Sequence, residues 1–208
     1  MKEPEFEKLF PNVSRESLNK LQIYHDLLVK WQKAINLVGS KTLPEAWVRH
    51  FADSVQLADY IPEGAVVADI GSGAGFPGLV LAIVRPDLQV HLIESDERKC
   101  QFLKAVSRET DVLVRVHTQR IEAGIEGVLP NFVTARALAD VRALLGYVEP
   151  WAEGNPDLLC LFLKGANVDQ ELGEAAAFFD FSHSKEPSKT ARDACILRIQ
   201  SIEQKSRV

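Results

Sequence analysis

The chain has 208 residues, enough for one domain of about 100–200 residues with a small appendage. Hydrophobic residues make up 46% and charged residues 25%, which excludes a wholly disordered chain. Lys plus Arg number 24 and Asp plus Glu 29, a net charge of −5. That excludes a uniformly basic nucleic-acid coat, but not a local basic patch.

The whole acidic excess lies in residues 61–160, which carry 14 acidic and 9 basic side chains. Cys100, Cys160 and Cys195 are widely spaced and fit neither a zinc site nor a disulfide framework. The N-terminal Met-Lys-Glu-Pro-Glu-Phe-Glu is too acidic for a signal peptide. No apolar run approaches the roughly 18 residues of a membrane span. The expectation is a cytoplasmic protein, without metal or membrane.

Ser14 is placed to cap a helix. Leu18, Leu21, Tyr24 or His25, Leu28, Trp31 and Ile35 then recur on one helical face, continuing to about residue 37. Gly39 and Ser40 end it. Pro44 opens a second helix with Val48, Phe51 and Val55 on one side. Residues 1–60 therefore read as a helical extension, and residues 61–208 as one compact domain.

The pattern then changes to alternating strands and helices. Strands are expected over residues 65–70, 89–94, 112–117, 132–135, 158–164, 178–183 and 194–200. Helices are expected over 79–84, 96–109, about 140–149 and 169–177. Apolar strands alternating with helices imply a buried, mostly parallel sheet. The polar stretch 184–193 holds no helix. The last two strands therefore pair as an antiparallel hairpin, with the last strand reversed. The fold class is α/β, a seven-stranded Rossmann-like sheet.

The strongest local signal is Asp69-Ile70-Gly71-Ser72-Gly73-Ala74-Gly75 at the end of the first strand. Ligands in open α/β sheets bind beyond the strands' carboxyl ends. Gly73-x-Gly75-x-x-Gly78 satisfies the dinucleotide fingerprint. Asp69-x-Gly71-x-Gly73-x-Gly75 satisfies the S-adenosylmethionine (SAM) pattern. A carboxylate at the strand end would repel a pyrophosphate but attract an ammonium or sulfonium, which favours SAM. A tight turn without a ligand is the remaining alternative.

Glu94, ending the second strand, suits the hydroxyls of a ribose or simply favours a helix start. The segment Arg120-Ile121-Glu122, after the third strand, suits an adenine edge or a surface loop. Arg136 ends the fourth strand. It can bind a phosphate, a base or a cofactor carboxylate, or form a salt bridge to Asp140 or Glu122. Lys164 closes the fifth strand at the same rim, and its alternative is a snorkelling lysine.

Bound SAM implies methyl transfer. The segment Thr134-Ala135-Arg136-Ala137 lacks the proline and aromatic of amino-group methylation. The cysteines read as buried small hydrophobes rather than the thiolate that pyrimidine C5 methylation needs. A guanine N7 acceptor fits what remains. Its lone pair needs no proton removed, so positioning alone can suffice. No catalytic base is assigned; Arg136 and Lys164 are the candidates for a direct role.

Further blocks carry a resemblance. Trp31-x-x-x-Ile35-Asn36-Leu37-Val38, Arg49-His50-x-x-Asp53-Ser54, the glycine loop with Phe76-Pro77-Gly78, and Leu163-Lys164-Gly165 occur in order. Over about residues 18–200 the chain resembles the bacterial small-subunit rRNA (guanine-N7-)methyltransferase family, also called glucose-inhibited division protein B. The resemblance implies SAM as donor and a guanine in 16S rRNA, free or in the small ribosomal subunit, as acceptor. It implies cofactor contacts from Gly71, Phe76, Ile121, Glu122 and Arg136. The glycine-loop motif and the strand-end position add Asp69, Gly73, Gly75 and Glu94 as cofactor contacts. Arg49, His50 and Lys164 are then candidates for the RNA side, with the lysine-bearing stretch 185–192 nearby. His50 can equally be a packed core histidine. A monomer is expected. Two other readings stay open: a SAM enzyme with a protein or small-molecule acceptor, and a non-enzymatic ribosome-associated nucleotide binder.

Overall fold

The computed structural model describes residues 3–205. Helix α1 (Glu3–Leu9) precedes the expected first helix, and its Phe6 packs edge-on against Trp47. Helix α2 (Arg15–Trp31) is capped by Ser14, whose hydroxyl accepts from the Ser17 amide at 3.0 Å. It ends six residues earlier than its apolar periodicity suggests. The cause is Gln32, whose amide oxygen accepts from the backbones of Leu37 and Val38, each at 3.0 Å. That side chain folds the following loop back on the helix end.

The second expected helix is irregular. It runs as a 3-10 turn (Leu43–Glu45), a π-helical stretch (Trp47–Ala52), the short α3 (Asp53–Val55) and a second 3-10 stretch (Gln56–Tyr60). π-Helical turns widen the backbone and re-aim side chains. Here the widened stretch carries Arg49 and His50.

Seven strands follow: β1 (Val66–Ile70), β2 (Gln89–Glu94), β3 (Arg115–Thr118), β4 (Phe132–Arg136), β5 (Leu159–Lys164), β6 (Phe179–Pro187) and β7 (Cys195–Gln204). Their order is β3-β2-β1-β4-β5-β7-β6. The first five are parallel, and β7 runs antiparallel to both β5 and β6. Helices α4 (Gly78–Val84), α5 (Glu97–Thr110), α6 (Val141–Gly154) and α7 (Val168–Ala175) cover the faces. The chain reverses direction across the sheet between β1 and β4, which opens a crevice at their carboxyl ends.

The strands β6 and β7 are longer than expected, so the polar connection shrinks to residues 188–194. This loop docks on the helical extension. Thr190 donates to Asp53 Oδ1 at 2.8 Å, and the Lys189 amide donates to Gln56 Oε1 at 2.9 Å. Phe6, Leu21, Tyr24 and Phe51 of the extension share one apolar core with Leu79, Leu92 and Leu161. Burial of such side chains contributes about 1.5–3 kcal/mol each, so the extension is anchored on the sheet.

Candidate functional site

Three backbone contacts shape the glycine loop. The Ser72 amide donates to the Ile93 carbonyl at 3.0 Å, the Gly75 amide to the Ser72 carbonyl at 2.7 Å, and the Gly73 amide to Glu94 Oε2 at 2.9 Å. Glu94 also accepts from the Asp96 amide through Oε1 at 2.8 Å. Glu94 therefore ties the loop to the start of α5, and each carboxylate oxygen keeps a second lone pair. From α2, Tyr24 donates its hydroxyl to the Ala74 carbonyl and stacks on Phe76, with centroids 5.3 Å apart. Sequence reasoning placed Tyr24 on an ordinary apolar face. Its phenol at that position was the signal, because a buried tyrosine hydroxyl needs a partner.

A cavity of about 540 Å³ opens beside this loop at the strands' carboxyl ends. Gly71, Gly73 and Phe76 line it from the loop, and Glu94 from β2. Ile121, Glu122 and Arg136 line it from the opposite side. Seven of the nine residues expected to hold a cofactor thus line this one cavity. Asp69 and Gly75 do not reach it. Asp69 is fully buried beneath the loop, where its Oδ1 accepts from Thr134 Oγ1 at 2.7 Å and its Oδ2 has no hydrogen-bond partner. Gly75 faces the core, against Tyr24, Leu79 and Leu103. Both shape the loop from below. Two larger hollows, of about 830 and 680 Å³, lie at the amino ends of the parallel strands, away from the crevice.

Arg136 projects from the end of β4. Its Nη1 donates to the Arg49 carbonyl at 2.7 Å and to His50 Nδ1 at 2.6 Å. Its guanidinium carbon lies 4.9 Å from the centre of the Phe76 ring. The carboxylate beside it is Asp53, with Oδ2 4.0 Å from Nη1, rather than Asp140 or Glu122. His50 is packed, with 7% exposure, stacked on Phe76 at 5.0 Å. Because its Nδ1 accepts from Arg136, Nε2 carries the proton and donates to Thr42 Oγ1 at 2.9 Å. Burial, followed by the Arg136 charge, pushes the His50 pKa down to about 3.

A second cavity, of about 640 Å³, adjoins the first. The two share Thr42, His50, Arg136 and Ala137. Asp53, Lys164 and Cys195 line only the second. Lys164 is tied down there, donating to the Ala139 carbonyl at 2.9 Å and pairing with Glu171. Its ammonium is neutralised by α7, a pairing invisible from β5 alone. Arg49 is exposed and pairs with Glu45 at 3.0 Å. Lys185 and Lys189 pair with Asp169 and Asp59, so the stretch 185–192 is less basic than its composition suggests. Cys100 and Cys160 are buried as expected, whereas Cys195 is half-buried on the cavity wall. Burial raises all three thiols above their ordinary range, which disfavours thiolate.

The family model described as "GidB: rRNA small subunit methyltransferase G" matches residues 17–194. The chain belongs to the GidB family. Among curated relatives, the "Ribosomal RNA small subunit methyltransferase G" of Paramagnetospirillum magneticum is 49% identical over 193 residues, 91% of each chain. That of Parvibaculum lavamentivorans is 45% identical, covering 92% of this chain and 86% of its own length. Two solved structures show the fold shared beyond the GidB family. A variant of MtNAS in complex with S-adenosylmethionine superposes with a TM-score of 0.60 at 15% identity, over 89% of this chain and 77% of that one. The B. subtilis tRNA methyltransferase TrmK gives 0.53 at 13% identity, over 72% and 65%. The seven-stranded sheet expected for the GidB family is the sheet observed.

The buried His50 and Asp69 give the fold opposing pH responses. Unfolded, His50 binds a proton near pH 6.5; folded, only near 3. Unfolding therefore takes up a proton between those values. The His50 contribution is complete above pH 6.5 and is lost as pH falls toward 3. Burial raises Asp69 to about 6, against the opposing Thr134 hydrogen bond, so its cost is full above pH 6 and relieved as pH falls toward 4. Replacing His50 with Gln is expected to reduce the stability lost between pH 7.5 and 4.5 by about 2–3 kcal/mol. Asp69→Asn should steepen that loss, since the variant lacks the relief. Urea unfolding at the two pH values reads both. Equal pH slopes in the wild type and both variants would contradict the assignment.

Proposed function

We propose that this chain transfers a methyl group from SAM to N7 of a guanine in 16S rRNA, presented free or in the small ribosomal subunit. The observation that carries the reading is the pair of cavities joined at one wall, at the carboxyl ends of the parallel strands. One is sized for a nucleoside cofactor, and the other lies where an acceptor base must approach.

The first cavity suits the cofactor chemically. Glu94 keeps free lone pairs for ribose hydroxyls, and Ile121 and Glu122 form the wall facing an adenine. At Gly73 a Cβ would meet only the Gly71 carbonyl, at 3.8 Å, so the loop leaves open space beside its backbone. When bound, SAM supplies a methyl group made electrophilic by its sulfonium. Asp69 and Tyr24 hold the loop from beneath, and Arg136 stands at the boundary with the acceptor.

Guanine N7 offers a lone pair and carries no proton, so the acceptor needs no base. The walls agree with this. His50 is neutral but spends both ring nitrogens on Arg136 and Thr42, and Lys164 is paired. The protein works by placement: it excludes water from the cavity and holds the base against the cofactor cleft. We place it in the cytoplasm as a monomer; no described helix is long and apolar enough to cross a membrane.

Incubation of the protein with methyl-labelled SAM and unmodified small ribosomal subunits tests the assignment. Label is expected in the 16S rRNA. Label confined to protein or small metabolites would replace rRNA with another acceptor. SAM binding without any labelled acceptor would point to a binder rather than an enzyme.

A further inference from the structure

Two charged groups on the wall of the second cavity, Arg136 and Asp53, keep hydrogen-bonding capacity that the fold does not use. Arg136 spends Nη1 on Arg49 and His50, while its Nη2 has no hydrogen bond among the described residues and its buried Nε has no partner. Asp53 spends Oδ1 on Thr190 and Gln56, each at 2.8 Å, while Oδ2 accepts none among the described residues. The two groups form an ion pair at 4.0 Å, too far apart for a direct hydrogen bond, so their remaining hydrogen-bonding positions stay open. A donor and an acceptor are thus held side by side, mostly buried, with the rest of each group fixed. Removing such groups from water is costly unless something pairs with them.

We propose that this Arg136–Asp53 pair reads the guanine edge, Arg136 donating to O6 and Asp53 accepting from N1–H. The inference rests on the guanine-N7 reading above and specifies how the base is chosen. Its geometry follows from the order of atoms around guanine. N7, O6 and N1 succeed one another along the base, as two acceptors and then a donor. The protein presents a matching order. The cofactor cleft comes first, then Arg136, which lines both cavities, then Asp53, which lines only the second. With N7 turned to the cleft, O6 falls at the shared wall and N1 beyond it. Adenine reverses the pattern, with an amino group at position 6 and an unprotonated N1, so donor would meet donor and acceptor would meet acceptor. Thr190 and Gln56 fix the Asp53 carboxylate, which ties base selection to the 188–194 loop and the helical extension.

Small ribosomal subunits are reconstituted with guanosine, inosine or 1-methylguanosine at the modified position, located first by digesting the wild-type product. Inosine keeps O6 and N1–H; 1-methylguanosine lacks N1–H. Wild-type kcat/KM is expected to be similar for guanosine and inosine, and about 5- to 150-fold lower for 1-methylguanosine, the usual range for one discriminating contact. In Asp53→Ala, and in Asp53→Asn, which retains an oxygen for Thr190 and Gln56, the ratio of guanosine to 1-methylguanosine should fall toward one. SAM affinity should stay within about twofold, since Asp53 is not on the cofactor wall. An unchanged ratio in a folded variant overturns the assignment. So does wild-type rejection of inosine as strong as that of 1-methylguanosine. Failure of the underlying reading is distinct: the wild type would then place no label on N7 of any guanine.

Discussion

Gly75→Ala should destabilise the fold by about 2–4 kcal/mol, combining left-handed backbone strain with overpacking. Gly75 has φ +93°, a conformation that side chains other than glycine's rarely adopt. An added Cβ would lie 2.6 Å from the Tyr24 hydroxyl oxygen, 2.9 Å from Leu79 Cβ and 2.9 Å from a Leu103 methyl. Tyr24 cannot yield cheaply. Its ring is held by Phe76 at 5.3 Å and Phe51 at 5.1 Å, and its hydroxyl holds the Ala74 carbonyl. The same displacement would move Gly73 and so weaken SAM binding. Urea unfolding with calorimetric SAM titration reads both effects. A loss below about 0.5 kcal/mol, the range of ordinary surface changes, would contradict this packing.

Arg136→Met should lower kcat/KM for rRNA methylation by about 100- to 1,000-fold, the usual range for loss of one preorganised electrostatic contact in an active site. The variant keeps much of the stem's bulk against Phe76 but loses every donor at the shared wall. Arg136→Lys should recover little, because an ammonium cannot serve the Arg49 carbonyl, His50 and the acceptor from one planar fork. Arg136→Met leaves His50 Nδ1 without its donor, which should cost about 1–3 kcal/mol of stability. Rates are therefore compared well below the unfolding transition. A fall of less than about tenfold would remove Arg136 from the chemistry.

Much of this arrangement is legible in the sequence, and the limits have physical causes. Strand and helix alternation reveals the sheet because β1, β2, β4 and β5 are largely buried, and their apolar runs report it. The glycine loop is legible because its backbone needs glycine where the chain approaches a ligand or a neighbour. Pairings between distant segments are not legible. Lys164 looks like a free cation until Glu171 is folded against it, and Asp69 looks like a cleft carboxylate until Thr134 is seen beneath the loop. The end of α2 is set by the Gln32 side chain, which periodicity does not register. The irregular helix over 43–60 reads as regular because its apolar spacing survives the wider turns. His50 and Asp53 lie three residues apart on that segment, a spacing that puts them on one side of a helix.

Methyl transfer to guanine N7 in rRNA leaves a product that can be read directly. The most direct measurement is the labelled product itself. Unmodified small ribosomal subunits are incubated with the protein and methyl-labelled SAM, and the 16S rRNA is digested to nucleosides and resolved by mass. The label is expected in a single species, 7-methylguanosine, and to be lost with Arg136→Met. Label in a different methylated nucleoside, or none in rRNA while protein or metabolites are labelled, would contradict the account.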